Sequence, residues 1–82
     1  MPKITKILID RKQLKNLQRL GLISPYKKAV ILLETGNLRQ VDFKKRRPYN
    51  NEIYYFRINK QYRAIGDFIG DIFHVFEIND HQ

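Results

Sequence analysis

The hydrophobic pattern of this 82-residue chain changes its period once, near residue 37. Before that point leucines recur every third position from Leu14 to Leu20, which predicts a helix over 11–20, and capping signals predict a second helix over 25–35. After it, apolar residues alternate in short runs, which is the pattern of β-strands. A chain of this length can bury one modest core, so we expect both halves to pack into a single domain spanning residues 1–82.

Five strands are expected. An alternating β-branched segment from Lys3 to Ile9 predicts the first, and the others are expected over 38–44, 52–58, 62–69 and 72–78. Gly70-Asp71 is a hairpin turn and the neighbouring connections are short, so the last four strands should form an antiparallel meander. The order β-α-α-β-β-β-β predicts an α+β fold in which a helix pair packs on one face of an antiparallel sheet.

The positive charge is concentrated in the first half of the chain. Sixteen Lys and Arg against eight Asp and Glu give a net charge of +8, which divides into +10 for residues 1–47 and −2 for residues 48–82. A strongly basic half favours a polyanionic partner, such as nucleic acid or a ribonucleoprotein. The alternatives are a solubilising surface or a basic face that binds an acidic protein.

Composition excludes several classes of protein. The chain has no cysteine, which rules out disulfides, cysteine-ligated zinc and thiol catalysis, and with two histidines we expect neither a metal site nor a cofactor. The longest apolar run, Ala29 to Leu33, has five residues, whereas a membrane span needs about 20. We therefore expect a soluble, cytoplasmic protein without a membrane segment.

Two arginines flank the turn between the third and fourth predicted strands. Arg57 and Arg63 are separated by a three-residue turn, so antiparallel pairing should bring them together. Adjacent guanidinium groups repel each other unless an anion lies between them, and bidentate contacts to phosphate are a common reason for such a pair. The alternative is that Arg57 forms an ion pair with Asp67 or Glu77 on a neighbouring strand.

Two segments make the chain similar to a known family: RINKQYR over 57–63 and VFEINDH over 75–81. Together they resemble the RelE/ParE superfamily of bacterial type II toxin–antitoxin toxins, and most closely its HigB-like branch. The order of the predicted elements agrees along nearly the whole chain. The resemblance implies a metal-independent endoribonuclease that cleaves messenger RNA on the ribosome and is held inactive, in a hetero-oligomer, by an acidic antitoxin.

The resemblance also implies which residues form the site. Catalytic roles are expected for Arg57, Arg63, His81 and Asp80. Contacts with RNA are expected from Lys44, Lys45, Arg46, Arg47, Lys60, Tyr62 and Tyr49. The chemistry fits these residue types, because metal-free cleavage needs positive charge on the phosphate and a group that transfers protons. His81 is the natural acid or base, although a solvated loop is an equal alternative for the run 44–47.

The end of the chain departs from the HigB-like pattern. That pattern closes with Asp-Tyr-His, whereas this chain closes with Asp80-His81-Gln82, so the histidine stands one residue early. A shift of one residue turns a strand side chain to the other face. Either His81 reaches the site from outside the sheet, or catalysis rests mainly on Arg and Lys. The other histidine, His74, alternates with Phe76 and is expected on the core side or at an edge.

Two further functions stay open. A ParE-like toxin that acts on DNA gyrase would need no acid–base group, and a basic RNA-binding module would use the same arginines to hold phosphate without turnover. Among the aromatic residues, Tyr54 and Tyr55 are consecutive on a strand, so their side chains point to opposite faces and at most one of them belongs to a site.

Overall fold

The computed structural model describes residues 3–48 and 51–80, and in these it contains two α-helices, one short 3-10 helix and five strands. The elements are β1 (Lys6–Ile9), α1 (Arg11–Leu20), α2 (Ile23–Glu34), the 3-10 helix (Leu38–Val41), β2 (Lys44–Lys45), β3 (Ile53–Arg57), β4 (Tyr62–Ile69) and β5 (Ile72–Asp80). The predicted α+β class and the order of elements are confirmed.

The sheet has the strand order β1-β5-β4-β3-β2. Strands β2 to β5 form the predicted antiparallel meander. Strand β1, however, runs parallel to β5, with Lys6 opposite Ile72 and Ile9 opposite Val75, so the sheet is mixed and not antiparallel throughout. The reason is the long connection between the two strands, because the helices and the meander return the chain to the end at which β1 began.

The predicted second strand over 38–44 is wrong in its first part. Leu38–Val41 form the 3-10 helix, and β2 contains only two residues. Asp42 then takes a left-handed conformation with φ of 51°, and the Phe43 amide donates a hydrogen bond to the Leu38 carbonyl at 3.1 Å. Val41 and Phe43 are both buried, as alternation predicts, but a turn brings them there and not a strand.

The first helix ends where the sequence predicts. Gly21, with φ of 70°, follows its last residue, and the amides of Gly21 and Leu22 donate to the carbonyls of Gln18 and Leu17. This is a Schellman ending, in which a left-handed residue satisfies the last carbonyls of the helix. At its other end, Asp10 occupies the N-cap position without a capping hydrogen bond from its side chain.

The hydrophobic core lies between the helix pair and one face of the sheet. Its most buried side chains are Leu17 and Leu33 from the helices and Phe56, Phe73 and Val75 from the strands. Because strand side chains alternate, the residues between these strand positions lie on the opposite, outer face. The outer face carries Arg57, Arg63, Tyr55, Asp67 and His74, so a functional site has a free surface to occupy.

A β-bulge interrupts the pairing of the two longest strands. Ile65 lies opposite Glu77 and Gly66 lies opposite Val75, which leaves Phe76 without a partner. A Cβ atom at Gly66 would meet the carbonyl oxygen of His74, so only glycine fits there without a shift of the backbone. Beyond the bulge the alternation is inverted, because one extra residue has entered β5.

None of the described helices is both long and apolar enough to cross a membrane.

Candidate functional site

An open cleft of about 680 Å³ lies where β2, β3 and β4 meet. Its lining residues are Phe43, Lys44, Lys45, Arg46, Arg47, Tyr55 and Arg63. Five of these seven are cations, and they come from both the basic run and the fourth strand. The cleft therefore concentrates positive potential in a concave surface, which is the arrangement that attracts a polyanion.

Among the cations of the cleft, Arg63 lies within a long strand and its position is set by the sheet register. It lies on β4 directly opposite Arg57 on one side and Asn79 on the other. Its guanidinium carbon is 4.5 Å from the centroid of the Tyr55 ring. Its Nε atom is buried and has no hydrogen-bond partner among the described residues. Arg63 is thus held by an aromatic face, and its charge is not neutralised by a carboxylate in the described part of the chain.

Arg57 has different surroundings. The predicted proximity of the two arginines is confirmed, since they are paired across β3 and β4. The alternative of an ion pair with Asp67 or Glu77 is wrong: Arg57 Nε lies 3.2 Å from Oδ2 of Asp42. The left-handed turn at Asp42 brings this carboxylate to the end of β3. Arg57 lines a neighbouring pocket of about 340 Å³, together with Lys60, and neither residue lines the cleft.

The basic run is partly built into the sheet. Lys44 lies directly opposite Tyr55, and Lys45 lies opposite Tyr54. Lys45 Nζ is 3.3 Å from Oε1 of Glu52, so Lys45 has a carboxylate partner. The backbone amide of Arg46 donates to the Ile53 carbonyl at 2.7 Å and extends the pairing beyond β2. Lys44 and Lys45 are therefore strand residues, whereas Arg46 and Arg47 lie beyond β2 and are exposed, as a solvated loop would be.

Two predicted residues lie on the wrong side of the sheet for the cleft. Tyr62 packs against the hydrophobic core, and Asp80, its partner across β4 and β5, lies on the same side. Asp80 accepts a hydrogen bond from Nε2 of Gln61 at 3.1 Å. The side chain of Asn59 accepts from the amides of Gln61 and Tyr62 at 2.9 and 2.7 Å. Much of the 57–63 motif thus shapes the turn, and Arg63 is its member in the cleft.

The predictions for Tyr49 and His81 fall outside the described residues. Of the two consecutive tyrosines, Tyr55 lines the cleft and Tyr54 packs against the hydrophobic core. The signal was present in the sequence, because Tyr55 and Arg57 are two residues apart on one strand and must share a face.

A second polar cluster lies on the same outer face. His74 Nε2 is 2.6 Å from Oδ1 of Asp10, and its Nδ1 is 3.2 Å from Oδ1 of Asp67. The hydrogen bond with Asp10, together with that from Asp67, raises the pKa of His74 above its usual value, against the lowering effect of burial. The expectation of a core or edge position was wrong, since β5 is an inner strand and its core residues are Phe73 and Val75.

This cluster is structural. The side chain of Asp10 is turned to His74, so the cluster joins the start of α1 to β4 and β5. Both ring nitrogens of His74 are engaged, and no group of residues that could hold a metal ion occurs in the ranges 3–48 and 51–80. Asp67 is four residues from Arg63 along β4, a separation of about 13 Å, so the cluster is separate from the cleft.

Comparisons with known proteins agree with this fold. No protein-family model matches the chain, and no curated protein matches its sequence. Among solved structures, the YoeB dimer from Staphylococcus aureus matches with a TM-score of 0.69 over 98% of this chain and 99% of that one, at 11% sequence identity. A likeness at this identity concerns the fold alone, and the chain shares the α+β fold of that structure.

Proposed function

We propose that the chain is a single-domain toxin of a type II toxin–antitoxin system that cleaves messenger RNA on the ribosome. The observation that carries this proposal is Arg63, which lines a cleft of cations, packs against the Tyr55 ring and has no carboxylate partner among the described residues. A guanidinium group in this state suits a phosphodiester, which presents several oxygen acceptors to its planar donors. The fold shared with YoeB and the motif over 57–63 support the same class.

The chemistry follows from the charge of the cleft. Attack of a ribose 2′-hydroxyl on the adjacent phosphate builds negative charge on the phosphate oxygens before the 5′-oxygen leaves. Arg63 and Lys44 are proposed to hold the scissile phosphate and to stabilise that charge. The 2′-hydroxyl must lose a proton and the leaving oxygen must gain one, and His81 remains the proposed group for these transfers. Arg46 and Arg47 are proposed to bind the phosphates on either side.

The structure changes the proposed roles of four residues. Arg57 is paired with Asp42, and we assign it a supporting role that requires this ion pair to open. Lys60, beside it, is proposed to contact RNA outside the cleft. Tyr62 and Asp80 lie on the core side of the sheet and are not proposed as site residues any longer. Tyr49 stays a predicted contact with RNA.

The proposed partners follow from the same charge. A net charge of +8 suits docking on ribosomal RNA and neutralisation by an acidic antitoxin, with which we expect a hetero-oligomer in the cytoplasm. The HigB-like branch remains a prediction from the two sequence segments.

The test is cleavage of a defined messenger RNA by the purified protein, with and without programmed ribosomes, read by primer extension. We expect new 5′ ends within codons when ribosomes are present and none when they are absent. The Arg63→Ala variant should lose these ends, while Arg39→Ala, which removes an exposed arginine outside the cleft, should keep them. Equal cleavage by the two variants would overturn the assignment of the site.

A second candidate function is binding of RNA without turnover. The observation that favours it is the cleft lining, which contains no histidine or carboxylate among the described residues. In that case the wild-type protein would bind RNA and arrest ribosomes with intact messenger RNA. Intact messenger RNA with DNA damage would instead indicate a toxin that acts on gyrase.

A further inference from the structure

Tyr55 is the strand β3 residue that lines the cleft. It is directly opposite Lys44 on β2 and Ile65 on β4, and Ile65 is buried beneath this outer face. Arg63 is the diagonal neighbour of Tyr55 across the β3–β4 pair, within reach of a long side chain. Tyr55 therefore lies beside Lys44 of one neighbouring strand, and its ring contacts the guanidinium of Arg63 from the other.

Arg63 depends on Tyr55 because few other groups fix its conformation. The residue directly opposite is Arg57, which repels it, and its Nε has no partner in the described residues. Arg57 by contrast is fixed by Asp42. A carboxylate beside Arg63 would fix it equally well, but would occupy its donors and cancel its charge. An aromatic face attracts the cation and does not occupy the N–H donors at the end of the guanidinium.

We propose that Tyr55 is a positioning residue whose ring holds the guanidinium of Arg63 in the orientation that binds a phosphate of single-stranded RNA. The proposal rests on the proposed function and adds to it the group that orients its main cation. The ring face, and not the hydroxyl, carries this effect. One face of the ring is covered by the guanidinium. Tyr55 therefore acts on the phosphate through Arg63, and its effect does not depend on which base the phosphate joins.

The test is a double-mutant cycle on RNA affinity. Fluorescence anisotropy would measure the binding of 2′-O-methyl octanucleotides of uridine and of adenosine, which cannot be cleaved through the 2′-oxygen. Tyr55→Leu should weaken the binding of both probes about 5- to 30-fold, the range expected for a partly desolvated cation–π contact. Tyr55→Phe, which keeps the ring, should stay within about 2-fold of the wild type. In an Arg63→Ala background, Tyr55→Leu should have little further effect.

Three results would overturn the proposal. The first is an equal loss from Tyr55→Leu with and without Arg63. The second is a loss in Tyr55→Phe as large as in Tyr55→Leu. The third is a loss confined to the adenosine probe, which would make Tyr55 a stacking platform for bases.

The contact between Tyr55 and Arg63 can also be measured by NMR on the wild-type protein, so this test does not depend on whether the variants fold. The side-chain protons of Arg63 should show upfield NMR shifts caused by the Tyr55 ring, and unshifted protons would contradict the contact. If the wild type binds neither octanucleotide but still cleaves messenger RNA on programmed ribosomes, the proposed function stands and the proposal that Arg63 binds a phosphate of single-stranded RNA is overturned.

Discussion

Arg57 and Arg63 lie directly opposite each other in the sheet, but their side chains have different partners. Arg57 is charge-compensated by Asp42, in an ion pair whose side chains are 44% and 46% exposed. Arg63 rests on a ring and keeps its charge for the cleft. An exposed ion pair contributes about 0–1 kcal/mol, so Arg57 loses little on release, but a phosphate must still compete with Asp42 for it.

The difference predicts unequal effects of two alanine substitutions on RNA cleavage by programmed ribosomes. Arg63→Ala should lower the rate about 100-fold or more, as loss of a charge-stabilising donor does in other active sites. Arg57→Ala should lower it less, by about 10-fold, with a change of at most about 1 kcal/mol in the free energy of unfolding. A larger loss of rate in Arg57→Ala would contradict the proposed division of roles.

His74 predicts a dependence of stability on pH. Contact with Asp10 and Asp67 raises its pKa in the folded protein. The contribution should therefore be complete below the unfolded pKa of about 6.5 and should be lost as pH rises through the higher folded pKa. Urea unfolding of the wild type and His74→Asn at several pH values checks this. The difference in free energy of unfolding, at most about 1 kcal/mol, should shrink as pH rises; a difference that grows would contradict it.

At the level of the elements, the bulge in β5 decides which side chains of its last residues lie on the outer face of the sheet. Without the extra residue Phe76, Asp80 would share the outer face with His74, as simple alternation predicts. With it, Ile78 lies on the core side and Asn79 lies beside Arg63. The bulge thus accounts for the position of Asp80 on the core side, and it leaves no mark in an alternating pattern; the predicted catalytic role of Asp80 came from the family resemblance.

The bulge also predicts the cost of filling Gly66. In Gly66→Ala the new methyl group would lie against the backbone of His74, 2.8 Å from its carbonyl carbon, and against Phe73 Cζ at 2.9 Å. We expect a loss of about 1–3 kcal/mol in the free energy of unfolding, the cost of overpacking. Gly70→Ala is the matched control, since its site is open and only its positive φ of 63° opposes a side chain. An equal loss at both positions would show that space at the bulge is not limiting.

Local patterns in the sequence predicted the elements better than their arrangement. The α1 boundaries, the strand over 62–69 and the pairing of Arg57 with Arg63 follow from spacing and turn residues. The parallel position of β1 depends on where a distant strand ends, and the 3-10 helix depends on a hydrogen bond closed by Asp42. Neither feature can be recognised from the hydrophobic pattern alone.

At the scale of the whole molecule, the excess charge has two locations. The cations over 44–47 line the cleft with Arg63, while exposed cations of α1 such as Lys12 and Lys15 lie elsewhere. If the cleft holds RNA, the cleft cations and not the helix cations should set the salt dependence of binding.

The location of the RNA-binding cations can be tested through the salt dependence of RNA affinity. For single-stranded RNA each phosphate contact contributes about −0.7 to the slope of log affinity against log salt concentration. The double variant Lys44→Ala/Arg46→Ala should reduce the steepness of the slope by about 1.4, and Lys12→Ala/Lys15→Ala should leave it unchanged. Titration of the 2′-O-methyl octanucleotides at several KCl concentrations measures both. The reverse result would place RNA on the helices.

Messenger RNA cleavage by this protein can be tested in cells by mapping messenger RNA 5′ ends after induction of its expression. We expect growth arrest with new 5′ ends inside translated codons, loss of these ends in the Arg63→Ala variant at equal protein level, and their retention in Arg39→Ala. Growth arrest with no new ends, or the same ends in Arg63→Ala, would contradict this expectation.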